Sequence, residues 1–210
     1  MAELNLDYYT AKDHYSDGDI EETLLKMAQE GKSFEDLPED EVSFPMVYHF
    51  SGLRENILSW YPLKETDSVL EIGAGCGAIT GMLCRKAGHV TSVELSKRRA
   101  DINYARNNDK ENLTIMVGNL NDMTFPEKFD NVVVNGVLEY AMSYGRKNSL
   151  RDISSAYGCI PETGGKTSDR HREPTGTEVL CRSTGGSHRS SLFRNQRISG
   201  KSVCAHLFQE

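Results

Sequence analysis

The sequence predicts an α/β fold built on a doubly wound, mainly parallel sheet. Between residues 67 and 135, short apolar runs of strand character alternate with segments whose apolar residues recur at helical spacing. One of those runs breaks into glycines at every second position, Gly73, Gly75 and Gly77. Alternation of this kind is typical of parallel strands joined by right-handed helical crossovers. We therefore expect any ligand to bind at the carboxyl ends of the strands.

The elements of this sheet follow in order along the chain. We predict strands over Asp67–Ile72, His89–Glu94, Leu113–Val117 and Phe129–Asn135, and crossover helices over Ala78–Ala87 and Ser96–Asn107. Ser96 has a side chain suited to capping the second crossover helix. The near-continuous apolar character of the first strand indicates that both of its faces are covered.

A helical cap is predicted ahead of the sheet. Apolar spacing predicts a helix from Ile20 to about Glu30, capped by Asp19, and a second helix from Met46 to Trp60. The segment before them is polar yet holds three of the nine tyrosines. It is either an arm folded over a pocket or a frayed terminus. We divide the chain into an arm and cap (1–62), a core (63–148) and a basic tail (149–210).

Three features meet at the carboxyl ends of the predicted strands. The glycine turn follows the first strand, Glu94 ends the second, and Asn119 follows the third. Alternate glycines permit a tight turn and close approach of a ligand, and the N–H groups of the next helix point at that turn. A carboxylate at the second strand can accept both hydroxyls of a ribose, and an amide can pair with an adenine edge. Together they predict an adenosine site.

These residues resemble those of the class I S-adenosylmethionine-dependent methyltransferases, bacterial type. The resemblance covers roughly residues 48–140 and lies in Glu71–Gly77, Glu94, the Gly118–Asn119 loop and Phe129–Tyr140. It implies a Rossmann-like core and S-adenosylmethionine as cofactor. The residues that it implies for cofactor binding are Glu71, Gly73, Ala74, Gly75, Gly77, Glu94, Leu95, Asn119, Leu120 and Asn135. The family usually has Asp where this chain has Asn119.

The resemblance fixes no catalytic base. Methyl transfer from a sulfonium mainly requires that nucleophile, carbon and sulfur be held in line. Asn135 and Tyr140 are the candidate catalytic residues, and no metal site is expected, because the Cys and His residues lack metal-site spacing.

Two other functions stay open on the sequence. Gly73-x-Gly75-x-x-Ala78 also satisfies the looser dinucleotide fingerprint, which would suit an NAD(P)-binding oxidoreductase. A non-catalytic binding or interaction protein, with a cofactor fold and a basic tail, is the alternative outside the enzymes.

Charge guides the expectations about partners. Residues 1–145 hold 13 basic against 25 acidic side chains, a net charge of −12, whereas residues 146–210 carry +5. Because readers of nucleic acid usually carry a basic face, we favour a small molecule or saccharide over nucleic acid as the unidentified methyl acceptor. With no signal-like or membrane-spanning run, we expect a cytoplasmic protein that does not bind membranes. The oligomeric state is open.

From about residue 149 the α/β pattern stops. Residues 163–203 are rich in Ser, Arg, Gly and Thr, with no apolar run longer than three residues. Synonymous codons can be chosen for Asp169–His188 such that, read one nucleotide later, they encode the peptide IAIENRLGLKYFAGAPEDHT. This peptide resembles the fifth strand and following loop of bacterial members of the family. We hypothesise that the chain is out of frame from a point between residues 143 and 156, which the coding DNA would test. A disordered basic tail is the alternative. Loss of the closing strands would leave an open edge along Phe129–Asn135.

Overall fold

A computed structural model describes residues 1–11, 17–125 and 129–135, and the backbone of 179–182. Its sheet has six strands in the order β1-β4-β3-β2-β5-β6, with β1 to β5 parallel and β6 antiparallel to β5. The strands are β1 (Glu3–Asn5), β2 (Ser68–Ile72), β3 (His89–Glu94), β4 (Leu113–Val117), β5 (Asn131–Val134) and β6 (Val179–Arg182). This topology confirms the predicted doubly wound, mainly parallel sheet.

The helices lie where the spacing of apolar residues predicts them, with different ends. They are α1 (Ile20–Gln29), α2 (Phe44–Phe50), α3 (Thr80–Lys86) and α4 (Lys97–Asn107), with shorter 3-10 helices at Phe34–Asp36, Glu39–Glu41, Gly52–Ile57 and Leu120–Asp122. Ser96 caps α4 as predicted, since its Oγ accepts the N–H of Arg99 at 3.5 Å. Asp19 makes no capping hydrogen bond through its side chain and has helical backbone angles.

The predicted helix from Met46 to Trp60 is interrupted at Ser51. Ser51 ends α2 with extended backbone angles, and its Oγ then accepts the N–H of Leu53 at 3.2 Å to start a 3-10 helix. Serine at this place offers the backbone a local hydrogen bond that competes with helix continuation, which explains the break.

The N-terminal segment begins as a strand, which the sequence analysis did not predict. Glu3–Asn5 pairs in parallel with Thr114–Met116 of β4 and so forms one edge of the sheet. Three residues are too few to show a period, and the pairing partner lies more than 100 positions away along the chain. Residues 12–16, which belong to the expected arm, lie outside the described part of the chain.

Side chains alternate between two apolar layers on the faces of the sheet. Val69 and Val90 pack with Leu83 of α3 and Ala100 of α4 in one cluster. Leu70, Ile72, Val93, Val132 and Val134 belong to a second cluster. Both sets are buried, which is why β2 carries apolar side chains on both of its faces. Glu71 is the buried polar residue of this strand.

The cap adds a third apolar cluster, between α1 and α4. Leu24, Met27 and Ala28 of α1 pack there with Ile102 of α4 and with Cys76 of the glycine turn. Within the described residues, no helix is both long enough and apolar enough to span a membrane.

At the far edge, β6 pairs with β5 from Asn131 to Val134. The expected open edge along the fourth predicted strand is therefore wrong for these four positions, because a segment of the tail supplies backbone partners there. The out-of-frame hypothesis otherwise concerns residues outside the described part of the chain.

Candidate functional site

The glycine turn joins the end of β2 to the start of α3 through three left-handed residues. Gly73, Gly75 and Gly77 have φ angles of +71°, +56° and +76°, a region that side chains other than glycine rarely adopt. The N–H groups of Gly73 and Ala74 both donate to the Val93 carbonyl, at 2.8 and 3.1 Å. The turn is thereby fixed to β3, and the alternate glycines are required by the backbone itself.

The turn presents different surroundings at two of its glycines. A Cβ at Gly77 would overlap the Asn103 carboxamide and lie 3.0 Å from Nδ2 of Asn107, so Gly77 is packed tightly on α4. A Cβ at Gly75 would meet no atom within 4 Å. The open side of the turn is therefore at Gly75, where a ligand can approach the main chain.

Glu94 ends β3 beside this open side. Its Oε2 accepts the N–H of Gly75 at 2.8 Å and its Oε1 accepts the N–H of Ser96 at 2.9 Å, while only 8% of the residue is exposed. Burial raises the pKa of Glu94, against the opposing effect of the backbone hydrogen bonds from Ser96 and Gly75. The carboxylate is thus held rigidly between the turn and the start of α4.

Glu71, by contrast, is buried beneath the turn. Its Oε2 accepts hydrogen bonds from Thr80 Oγ1 at 2.7 Å and Ser92 Oγ at 2.6 Å, and its buried Oε1 has no hydrogen-bond partner. Burial is the main cause that raises the pKa of Glu71, and the charge of Glu94 adds to it. Glu71 therefore ties β2, β3 and α3 together at the base of the turn.

The loop after β4 lies at the same edge of the sheet. Gly118 donates its N–H to the carbonyl of Glu94 at 2.9 Å, which joins this loop to the end of β3. Asn119 Oδ1 accepts the N–H of Asn121 at 3.0 Å and so begins the 3-10 helix Leu120–Asp122. We call Gly118–Leu120 the β4 loop.

The structure thus brings the predicted Gly75, Glu94 and β4 loop to one edge. Ala74 is buried and Leu95 is half-buried next to Glu94. Asn135 is half-buried and directly follows β5, whose last residue is aligned with Ile72 of β2. Tyr140 lies outside the described residues.

Arg106 connects the cap to the glycine turn, which the sequence analysis missed. Its Nη1 donates to the Cys76 carbonyl at 2.7 Å and to the His49 carbonyl at 2.8 Å. Its guanidinium also lies 4.4 Å from the ring centre of Phe50. One cation on α4 therefore holds both the turn and α2, an arrangement that no local pattern of the sequence reveals.

A second connection joins α1 to α4 through charged side chains, of which Glu21 is fully buried. Arg99 donates to Glu21 Oε1 at 3.0 Å and to Asp17 Oδ2 at 2.6 Å, and Asp17 Oδ2 lies 3.2 Å from His49 Nε2. Burial lowers the pKa of His49. The signal in the sequence was the acidic Glu21, which neighbours the apolar stripe of α1. The structure buries it, which is rare for an acid without a charged partner.

The thiols near this site are inert. Cys76 and Cys84 are free and buried, and burial raises the pKa of each thiol to about 12. A thiol with such a pKa is not ionised at neutral pH and is a poor nucleophile. Among the described residues, no group of His, Cys, Asp and Glu could hold a metal ion.

An adenosine-containing cofactor fits the residues present. The carboxylate oxygens of Glu94 accept backbone N–H groups from Gly75 and Ser96, and because each oxygen has two lone pairs the carboxylate can also accept a ribose hydroxyl. The space beside Gly75 is clear of protein atoms for 4 Å around a Cβ position. A buried acceptor next to an open glycine is the arrangement that a ribose and its neighbouring groups need.

Comparison with known proteins identifies a family over the same segment. Residues 69–157 match a family model described as a methyltransferase domain. The "probable ribosomal RNA small subunit methyltransferase A" of Methanosarcina mazei is 39% identical over 93 residues, which are 44% of this chain and 33% of that protein. Phosphoethanolamine N-methyltransferase of Triticum aestivum is 38% identical over 74 residues, 35% of this chain and 14% of that protein.

Among solved structures, phosphoethanolamine N-methyltransferase 1 of Haemonchus contortus is similar at 17% identity and a TM-score of 0.40, covering 73% of this chain and 36% of that one. The chain matches about a third of the length of the ribosomal RNA methyltransferases.

These relatives overturn the expectation about the methyl acceptor. We favoured a small molecule or saccharide over nucleic acid, and this is wrong, because similar proteins from several archaea are named for ribosomal RNA. The expectation used the net charge of a long segment, whereas attraction to RNA depends on the charge of the surface that meets it.

The match to a methyltransferase domain begins in β2 and includes the glycine turn, Glu94 and the β4 loop. By ancestry, residues 69–157 of this chain are therefore a methyltransferase domain, as the resemblance to the S-adenosylmethionine-dependent methyltransferases implied.

Proposed function

We propose that this chain binds S-adenosylmethionine at the carboxyl ends of β2, β3 and β4 and transfers its methyl group to RNA. Glu94 is the main support for cofactor binding, because it is a buried carboxylate that accepts the N–H of Gly75, the glycine with open space beside it. The names of the relatives support the second part, the class of acceptor.

The residues of the chain would hold the cofactor at three points. Glu94 accepts the ribose hydroxyls, and the main chain at Gly75 allows the amino-acid end to approach without a side chain in the way. The Asn119 carboxamide and Leu120 hold the adenine, one by hydrogen bonding and the other by apolar contact. When bound, the sulfonium supplies a methyl group that is already electrophilic.

The remaining task of the protein is orientation of the acceptor. Asn135 stands at the carboxyl end of β5, next to β2 and the glycine turn in the sheet. Its carboxamide can both donate and accept, so it can orient an acceptor nitrogen or oxygen without taking a proton from it. Holding the acceptor in line is the main contribution that such a site makes to the rate.

Isothermal titration calorimetry with S-adenosylhomocysteine tests cofactor binding. Glu94→Gln removes the charge while keeping the shape, and we expect affinity to fall by about tenfold or more, since hydrogen bonds to a charged group contribute roughly 1.5–3 kcal/mol. Glu111→Gln is the matched control, because its side chain is 91% exposed. Absence of binding by the wild-type chain, with a cooperative unfolding transition, would refute the proposal, and NAD⁺ titrated in parallel tests the dinucleotide alternative.

Methyl transfer needs its own assay. We expect S-adenosylmethionine labelled in its methyl group to label small-subunit ribosomal RNA when incubated with the wild-type chain. Glu94→Gln should reduce that labelling, whereas Glu111→Gln should leave it unchanged. Cofactor binding without any labelling of RNA would contradict the acceptor while leaving the cofactor site intact.

A further inference from the structure

β1 carries the N-terminal chain to the same edge of the sheet as the β4 loop. Because β1 is parallel to β4, with Asn5 aligned to Met116, the chain leaves β1 at the carboxyl end of β4. It turns there at once, since Asn5 Oδ1 accepts the N–H of Asp7 and the Leu6 carbonyl accepts the N–H of Tyr9, both at 3.0 Å. We call residues 6–9 the tyrosine turn.

The tyrosine turn lies directly on the first residue of the β4 loop. Gly118 has a φ angle of +145°, and a Cβ there would overlap the Tyr8 carbonyl oxygen and lie 2.9 Å from the Tyr8 Cβ. On its other side, Gly118 is bonded to the Glu94 carbonyl at 2.9 Å. Tyr8 therefore packs against Gly118, the residue that joins the β4 loop to Glu94.

The ring of Tyr8 belongs to the same apolar cluster as the loop. Tyr8 and Leu120 both pack against the cluster that contains Ile72 and Val93, and the Tyr8 hydroxyl lies 3.3 Å from Thr124 Oγ1. Side chain and backbone of Tyr8 thus constrain the β4 loop from two directions.

Tyr9, the next residue, packs elsewhere. It is half-buried like Tyr8 but packs against the separate cluster that contains Val69 and Val90. The two adjacent tyrosines therefore separate an effect on the β4 loop from a general loosening of the tyrosine turn.

We propose that Tyr8 is a positioning residue for the adenosine end of the cofactor, acting through the β4 loop. This rests on the proposed function, and it adds the N-terminal strand to the cofactor site. A loop that is held in its binding conformation before the ligand arrives loses less conformational entropy on binding, so the contact increases affinity. The hydroxyl contributes less than the ring, because the ring supplies the buried packing.

Calorimetry with S-adenosylhomocysteine and with adenosine tests the proposal on Tyr8→Ala, Tyr8→Phe and Tyr9→Ala. We expect Tyr8→Ala to weaken the binding of both ligands by the same factor, about tenfold, which is about 1.4 kcal/mol of binding free energy. Tyr8→Phe should stay within about threefold of wild type, since only one exposed hydrogen bond is lost. Thermal unfolding of each variant without ligand measures the loss of stability separately.

Three outcomes decide the matter. Weaker binding by Tyr8→Ala alone, at a loss of thermal stability similar to that of Tyr9→Ala, supports the proposal. Unchanged binding by Tyr8→Ala, or equal weakening by Tyr8→Ala and Tyr9→Ala, overturns it. If the wild-type chain binds neither ligand, the proposed function itself is refuted and this proposal falls with it, a result that is distinct from either.

Discussion

Gly77→Ala is the substitution that most directly tests how the glycine turn is built. Two costs add at this position. The φ angle of +76° places an alanine in the left-handed region, which costs about 1–2 kcal/mol. The new Cβ would also lie 2.6 Å from Cγ of Asn103, a side chain with no exposed surface.

Asn103 cannot move aside without losing hydrogen bonds. Its Nδ2 donates to Thr80 Oγ1 at 3.2 Å, and its Oδ1 accepts from Asn107 Nδ2 at 2.9 Å. Each such hydrogen bond contributes about 1 kcal/mol net, so displacement of Asn103 adds about 2 kcal/mol. We therefore expect Gly77→Ala to lower the free energy of unfolding by about 3–4 kcal/mol.

Gly75→Ala is the matched control for that estimate. Gly75 has a similar φ angle of +56°, but its Cβ position is free of neighbours within 4 Å. It should therefore cost only the conformational part, about 1–2 kcal/mol. Urea unfolding followed by circular dichroism measures both values. If the two substitutions destabilise the chain equally, close packing on α4 is not the reason for glycine at position 77.

Two further predictions concern buried charges around the turn. Burial raises the pKa of Glu71 above 4.5, so the folded state binds a proton on this carboxyl group more tightly than the unfolded chain does. The protonated Glu71 therefore contributes its full stability below pH 4.5, and this contribution is lost as pH rises through the folded-state pKa. Glu71→Gln should remove this decline, and parallel pH profiles of unfolding for the wild type and the variant would contradict it. Arg106→Met should cost about 3 kcal/mol, because the Cys76 and His49 carbonyls lose a charged donor. Arg85→Met, at a side chain that is 53% exposed, should lower the free energy of unfolding by less than about 1 kcal/mol. Similar losses for the two variants in urea unfolding would show that Arg106 does not hold the glycine turn to α2.

The sheet was predictable from the sequence because its signals are local. Each predicted strand from β2 to β5 is a short run of mainly apolar residues, and glycines at three alternate positions mark the turn after β2. The place of Glu94 at the carboxyl edge of the sheet could be predicted from its position as the last residue of a parallel strand.

What the sequence could not reveal depends on contacts between distant residues. The pairing of β1 with β4 and the hydrogen bonds of Arg106 join residues that are 30 or more positions apart. Ser51 illustrates a different limit, because the apolar stripe continues through it while its hydroxyl offers the backbone a competing hydrogen bond. Periodicity detects a buried face but not a local competitor for the backbone.

These distant contacts also change where the functional unit begins. The family match starts at residue 69, and we divided the cap from the core at residue 62 on the basis of sequence. Yet the cluster formed by α1 buries Cys76 of the turn and Ile102 of α4, and Arg106 holds the turn to α2. Without the cap, this apolar surface and the Cys76 carbonyl would face water. The glycine turn of the proposed cofactor site is therefore stabilised by residues that precede the matched domain.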